Sequence, residues 1–471
     1  MWLWMDMKVQ TATGEEYGSY FPLVSMSLIF GVLLDLGISN YNNRKIAAHP
    51  GRFKNYFSSI TVVRFGLSIL FTGILFLIGF MDNYPTERLV LLLILGMNQV
   101  LLSSILYIRS NFTALGNFKT DSFFSVLDRI LMIAGVGWFL FGKGTITIEK
   151  FVWVQFFGYL ITFLISTTVL LVIGKASLPR LNIRFSKTLI KKSAPYAVIV
   201  LLMSAYNNSD SIMIDKLLLN GAEENSLYAQ SFRVLTALNN YAYLFAVLLL
   251  PIFSRMLKKK ESVGKLLGLS GGLLIYGVSA FVIISIHYSV DILSLCYGDY
   301  GDSSYFSSGE LLNRDLISRS QEVYLVLIVG IIPMSFNYCY GVLITASGRM
   351  GVLNAIAAVS LLFNLILNFI LIPEYGAYGA AYASFLTQSL SALSQVLIAY
   401  RRFDLKFEVI KPVRFIVGLI LLYLAIEFLD YQFTLALRLG IIAFLSVFGL
   451  IISVKFDGVK PLLNSIKKSN K

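Results

Sequence analysis

Long apolar runs separated by short polar breaks dominate this chain. They fall at roughly 18–39, 57–80, 89–109, 121–142, 151–173, 194–217, 227–252, 268–293, 321–346, 352–373, 377–400, 412–430 and 434–454. Each is close to the ~20 residues that a helix needs to cross the hydrocarbon core of a bilayer. A membrane barrel would instead show segments of about ten residues with alternating polarity, and these are absent. Backbone in lipid must satisfy its own hydrogen bonds, so the runs predict helices, about thirteen in all. The expected fold is an all-α membrane protein.

The polar breaks alternate in charge. The loops after odd-numbered runs carry about 27 Lys and Arg, and those after even-numbered runs about seven. Arg44, Lys45, Arg52 and Lys54 fill the first loop, and Lys175, Arg180, Arg184, Lys187, Lys191 and Lys192 the fifth. Arg255, Lys258, Lys259, Lys260 and Lys265 fill the seventh, and Lys455, Lys460, Lys467, Lys468 and Lys471 follow the last run. Basic loops mark the cytoplasmic side. The first run therefore starts outside and the chain ends inside. The opposite side has the acidic pair Glu223 and Glu224 and the polar loop Gly298 to Ser320, with Asp299, Asp302 and Glu310, expected to form a small external cap.

Composition agrees. The chain is 57% hydrophobic and 14% charged, with a mean hydropathy of +0.74, whereas a soluble chain is about one quarter charged. The net charge of +13 is accounted for by the positive-inside loops, so it does not argue for nucleic acid; it suits anionic lipid headgroups. Cys296 and Cys339 are too few for a disulfide framework. No metal-ligand spacing, cofactor motif, nucleophile–base pair or phosphate-binding loop appears. Gly142-Lys143-Gly144-Thr145 lacks the upstream glycine and strand of a P-loop. Met1 to Met7 does not resemble a cleavable signal peptide.

A weak repeat straddles the basic stretch 174–193. Gly14-Glu15-Glu16-Tyr17-Gly18 leads into one run, and Gly221-Ala222-Glu223-Glu224 followed by Leu227-Tyr228-Ala229 leads into another. The second copy is preceded by a full apolar run and the first by only about 13 residues, so a first helix is expected to be missing, with Met1 to Thr13 at most its remnant. The expected organisation is an N-terminal lobe at 1–173, a basic cytoplasmic linker at 174–193, a C-terminal lobe at 194–403, and two extra helices with a basic tail at 404–471.

Charges inside membrane helices need a partner, a cavity or a function. Arg64, Asp128 and Arg129 each lie about two turns into their helices from the cytoplasmic end. Asp210, Asp215 and Lys216 sit in the outer half of the run 194–217, and Arg233 nearly two turns into the next from outside. Arg64 and Arg129 are candidates for a cationic vestibule, because a guanidinium fork suits phosphate. Asp210 and Arg233, with Asn207 and Asn208, are further candidates for substrate binding; the alternative is that Arg64 ties to Asp128, and Asp210 to Arg233, as interhelical pairs. Lys216 is placed to snorkel to the interface. Tyr206-Asn207-Asn208-Ser209-Asp210 wraps polar groups around a helix, so at least one should face the bundle interior. Asn207 and Asn208, like Asn98, Gln99 and Asn337, either bind sugar hydroxyls or bond between helices. Asp128 and Asp215 are candidates for ion coupling.

Several segments resemble one family. They are Glu16-Tyr17-Gly18-Ser19-Tyr20, Leu34-Asp35-Leu36-Gly37-Ile38, Asp210-Ser211-Ile212-Met213-Ile214, Ser347-Gly348-Arg349, the stretch Asn364 to Asn368, and Ile372-Pro373-Glu374-Tyr375-Gly376-Ala377-Tyr378-Gly379-Ala380-Ala381. Their order is similar to that of the polysaccharide transporters, or O-antigen flippases, of the multidrug/oligosaccharidyl-lipid/polysaccharide exporter superfamily. In that last segment Pro373 should end one helix, Gly376 permit a reversal, and Gly379 to Ala381 allow close packing. The resemblance implies fourteen helices in two pseudo-symmetric six-helix lobes around a central cavity, plus two C-terminal helices. It implies a non-enzymatic flippase in the bacterial inner membrane. Its substrate would be undecaprenyl-pyrophosphate-linked oligosaccharide, a repeat unit of O-antigen, lipopolysaccharide, capsule or exopolysaccharide. Partners would be that lipid-linked oligosaccharide, membrane lipids, and a polysaccharide polymerase with its chain-length machinery.

Two rival readings accompany it. A cation-coupled multidrug exporter of the same superfamily would use Asp35, Asp128 or Asp210 as coupling carboxylates. A membrane polysaccharide polymerase would use Asp299, Asp302, Arg314 and Arg319 in a catalytic external loop, although about 20 residues is short for that task.

Overall fold

The computed structural model describes residues 2–39, 53–142, 145–174, 183–297, 310–403, 405, 410–430, 441–442, 445–446 and 449. Among them there is no strand. Among the described residues, nine helices are long and apolar enough to cross a membrane. The protein is an all-α, multi-pass membrane protein, as the apolar runs predict. Arg44, Lys45, Arg52, Lys175 and Arg180, the loop 298–309, most of the last predicted run and the basic tail lie outside the described residues.

The chain divides into two compact units, Met1–Ala229 and Gln230–Lys471. The first begins with α1 (Trp2–Thr13), α2 (Glu15–Gly31, extended by a 3-10 turn to Leu34), α3 (Phe53–Met81) and α4 (Thr86–Ala114). It continues with α5 (Phe118–Phe141), α6 (Ile148–Gly174), α7 (Ile183–Leu217) and the first turns of α8 (Gly221–Lys258). Helix α1 has 12 residues, about 18 Å at 1.5 Å per residue, against a hydrocarbon core of ~30 Å. Its buried face nevertheless carries Asp6 and Gln10 among Met5, Met7 and Val9. Helix α4 packs along both α6 and α2. One core cluster joins Tyr107, Ile108 and Phe112 to Phe124 and Leu170. The half of the predicted linker from Ile183 onward is helical and belongs to α7.

The two repeat motifs meet inside this unit. A Cβ on Gly18 would collide with the backbone carbonyl of Ala222 and crowd the backbone nitrogen of Ser226. Gln10 Nε2 donates to the Ser226 carbonyl at 2.9 Å, and Ser226 Oγ donates to the Gly14 carbonyl at 3.2 Å. Only a glycine permits this backbone approach. The glycine of the first motif is therefore a packing residue for the second.

The second unit takes up α8 from Gln230. It adds α9 (Gly264–His287), α10 (Ser289–Tyr297), α11 (Glu310–Val329), α12 (Ile331–Phe336), a π-helical turn (Asn337–Gly341), α13 (Val342–Ala346), α14 (Met350–Arg402) and α15 (Ile410–Asp430). Half of the predicted external cap is thus helical, because α11 begins at Glu310. Helix α14 has 53 residues and breaks at Gly376, whose φ of 58° and ψ of −136° are not helical. Its arms, 350–375 and 377–402, correspond to the two predicted runs. Gly379 lies so close to the Leu371 carbonyl that a Cβ would collide with it, and Ala380 and Ala381 are fully buried. The turn works as the sequence predicts.

Candidate substrate-binding residues

Arg64, on α3, is 6% exposed. Its Nη1 pairs with Asp35 Oδ1 at 2.5 Å. Its Nη2 donates to the Ser103 carbonyl at 2.8 Å and to Ser103 Oγ at 2.6 Å. The guanidinium lies 4.8 Å from the centroid of the Tyr107 ring. Asp35 also accepts a bond from the Ser39 hydroxyl. The expected pairing of Arg64 with Asp128 is therefore corrected: the counter-ion is Asp35, at the end of α2. The reason is local. The helix gives way to a 3-10 turn at Val32–Leu34, and the chain then turns with Leu36 and Gly37 at positive φ. That turn puts Asp35 beside α3.

Arg129 stands in a different setting. Its side chain is 40% exposed, and its Nε lies 3.7 Å from Oδ2 of the adjacent Asp128, which is itself buried. Asp128 also accepts from the Arg129 backbone N–H at 2.8 Å. The guanidinium sits 5.9 Å from the ring centroid of Trp2. Tyr159 is within electrostatic reach of Arg129, Asp128 and Asp6. Asp6 in turn accepts from the Tyr17 hydroxyl at 3.0 Å. So the two arginines expected to share one vestibule occupy two clusters. One is a buried, fully engaged knot. The other is half open, with α1, α5 and α6 around it.

The polar stretch on α7 divides by face. Tyr206, Ser209 and Asp210 are buried, and Asn207 is exposed. Asn208 spends its Nδ2 on the Ser204 carbonyl of its own helix at 2.8 Å. Asp210, 1% exposed, accepts from the Tyr228 hydroxyl at 2.7 Å. Arg233, half-buried, belongs to the second unit. Asn98 donates to the Val152 carbonyl at 3.2 Å and acts as a tie between α4 and α6.

Asp215 and Lys216 end α7 in ion pairs. Arg88 Nη2 meets Asp215 Oδ2 at 2.6 Å, and Lys216 Nζ meets Asp82 Oδ2 at 2.8 Å. Both cations also lie over the Tyr84 ring, at 4.5 and 5.0 Å. Burial pushes the Tyr84 phenol above its ordinary range, so the ring stays neutral. Lys216 is thus latched to the α3–α4 hairpin rather than snorkelling alone. Sequence reasoning does not single out Asp82, Arg88 or Asp6, and it places Tyr17 only in the repeat and family motifs. Asp6 had a readable signal, a carboxylate within an apolar stretch, but that stretch is short. Asp82 and Arg88 flank an ordinary polar loop and gave none.

Known proteins can now be set beside this geometry. The sequence model described as "Polysaccharide biosynthesis protein" matches residues 12–257. The chain belongs to that family. A search of curated protein sequences gives no significant match. Among solved structures, the fold is similar to that of the lipid II flippase MurJ in its inward closed conformation, at 13% identity, a TM-score of 0.74, and coverage of 96% of this chain and 95% of that one. It is also similar to an inward-facing multidrug resistance MATE family transporter of the MOP superfamily, at 14% identity, a TM-score of 0.62, and coverage of 85% and 93%. A third likeness is to a MOP superfamily transporter from Pyrococcus furiosus, whose binding pocket is described as reversed in polarity, at 14% identity, a TM-score of 0.56, and coverage of 85% and 91%. At these identities the likenesses speak for the fold.

Proposed function

We propose that this family member is a flippase, not an enzyme. It would move undecaprenyl-pyrophosphate-linked oligosaccharide from the cytoplasmic to the periplasmic leaflet of the bacterial inner membrane by alternating access. Family membership and the MurJ-like fold support the class. Arg129 carries the substrate reading. A half-exposed guanidinium deep in an apolar helix is costly unless it faces a polar ligand or water. Its tie to Asp128 at 3.7 Å is long for a charge-assisted hydrogen bond, which leaves its fork available to a diphosphate. Arg64 takes a supporting role, because its donors are already committed to Asp35 and Ser103. The prenyl tail would stay in lipid.

A second reading has one observation in its favour. Asp6 and Asp210 are buried carboxylates, each hydrogen-bonded by a tyrosine, as a cation-coupled exporter would require. The two readings part in the host cell. Deletion should abolish surface polysaccharide, and Arg129→Ala expressed at normal levels should fail to restore it. Full restoration by Arg129→Ala would remove the site assignment. Drug resistance on expression, with polysaccharide intact on deletion, would favour the exporter.

A further inference from the structure

The second unit holds a neutral cluster that the headgroup argument does not use. Helix α8 has 38 residues, and Asn239 and Asn240 lie at its midpoint. Asn240, Tyr241 and Tyr243 are exposed. Hydrocarbon offers a carboxamide no hydrogen-bond partner, so Asn240 needs a polar neighbour.

A break in a neighbouring helix meets it there. Asn337–Gly341 forms a π-helical turn, a feature that recurs at functional sites because it re-aims side chains. It presents Tyr338, whose hydroxyl donates to Asn239 Oδ1 at 2.8 Å. The Tyr338 ring meets that of Tyr243 edge-on, with centroids 6.0 Å apart. Polar side chains of α14 meet the turn. Asn337 Nδ2 donates to Gln388 Oε1 at 3.1 Å, and Gln395 Nε2 donates to Ser391 Oγ at 3.1 Å. Gln395 packs its amide against Gly341, where a Cβ would collide with it, and its buried Oε1 has no hydrogen-bond partner among the described residues.

We propose that Asn239, Asn240, Tyr243 and Tyr338 form a subsite for an uncharged sugar ring of the transported lipid-linked oligosaccharide. A pyranose presents a rim of hydroxyls that both donate and accept, and a carboxamide matches it with a donor and an acceptor. Its C–H face packs on an aromatic ring. None of the four residues carries a charge to select an anion. The inference rests on the flippase reading and deepens it.

The test uses the full chain in lipid nanodiscs and two probes. One is the undecaprenyl-pyrophosphate-linked oligosaccharide extracted from host cells depleted of this protein; the other is undecaprenyl pyrophosphate. Binding is followed by native mass spectrometry. The wild type should prefer the glycosylated probe. Asn239→Ala and Tyr338→Phe should each reduce that preference by about five- to tenfold, the effect of one neutral hydrogen bond, with affinity for undecaprenyl pyrophosphate unchanged. An unchanged preference, or an equal loss for both probes, overturns the subsite. A wild type that binds neither probe overturns the flippase reading, and the subsite with it. Tyr338→Phe removes one oxygen and keeps the ring, so it decides the matter if Asn239→Ala fails to fold.

Discussion

The pair Asp35–Arg64 should behave asymmetrically when either partner is removed. Charges about 4 Å apart at an effective dielectric near 20 attract by about 4 kcal/mol before desolvation is counted. Exposure decides what survives after a deletion. The Arg64 side chain is 8% exposed and that of Asp35 is 34% exposed. Asp35→Asn strands a buried cation, which keeps its Ser103 and Ser39 contacts and the Tyr107 ring. It should cost about 3–5 kcal/mol, the range for breaking one side of a buried pair. Arg64→Met fills the same space with an apolar chain and leaves a carboxylate that water and Ser39 still reach. That should cost about 1–2 kcal/mol. The double variant should cost less than the sum, with a coupling of about 2 kcal/mol. Unfolding of the detergent-solubilised protein, followed by intrinsic fluorescence against denaturant, measures all four corners of the cycle. If Arg64→Met is the more damaging change, or if the costs simply add, the ion pair does not hold α2 to α3 as described.

Three further outcomes follow from named contacts. Gly18→Val should destabilise the first unit by about 1–3 kcal/mol, the usual cost of overpacking, because the collision is with the backbone of Ala222; the melting temperature of the purified protein tests it, and an unchanged value contradicts the close approach. Gly376→Ala should cost about 1–3 kcal/mol, since the position has φ of 58°; stability equal to wild type would mean that the break in α14 does not need glycine. The Lys216–Asp82 pair joins α7 to the α3–α4 hairpin, so Asp82→Cys with Lys216→Cys, in a background lacking Cys296 and Cys339, should be bridged by a bis-methanethiosulfonate reagent that replaces the lost side-chain length, and the bridge should block transport until reduced. Undiminished transport after complete cross-linking would show that these segments need not separate.

What the sequence discloses depends on whether the signal is local. Runs of about 20 apolar residues and the glycine-bearing turn at 373–376 act through their own backbone; among the described residues nine helices long and apolar enough to cross a membrane answer to the runs, and the turn breaks at Gly376. The close packing of Gly379, Ala380 and Ala381 was legible for the same reason. Partner choice was not. Depth alone puts Arg64 level with Asp128, yet Asp35 becomes its partner because a 3-10 turn and two positive-φ residues re-aim the chain end of α2. Nor does periodicity show that Asp82 and Arg88, on either side of one short loop, engage consecutive residues of α7. The π-helical turn at Asn337–Gly341 is likewise invisible to a 3.6-residue period, because its partners Gln388, Ser391 and Gln395 stand on another helix. Sequence marks Asn337 as an embedded polar residue but carries no sign of its bonds to Gln388 and Ser391.

The account is tested most directly by reconstitution. Purified protein in liposomes, with undecaprenyl-pyrophosphate-linked oligosaccharide placed in one leaflet, allows translocation to be read by the access of a membrane-impermeant glycosidase or periodate to the sugar. The wild type should move the substrate between leaflets, and Arg129→Ala should stop it while remaining folded. Equal leaflet exchange in empty liposomes and in wild-type liposomes, under conditions in which the protein is folded and binds the substrate, would contradict the central claim.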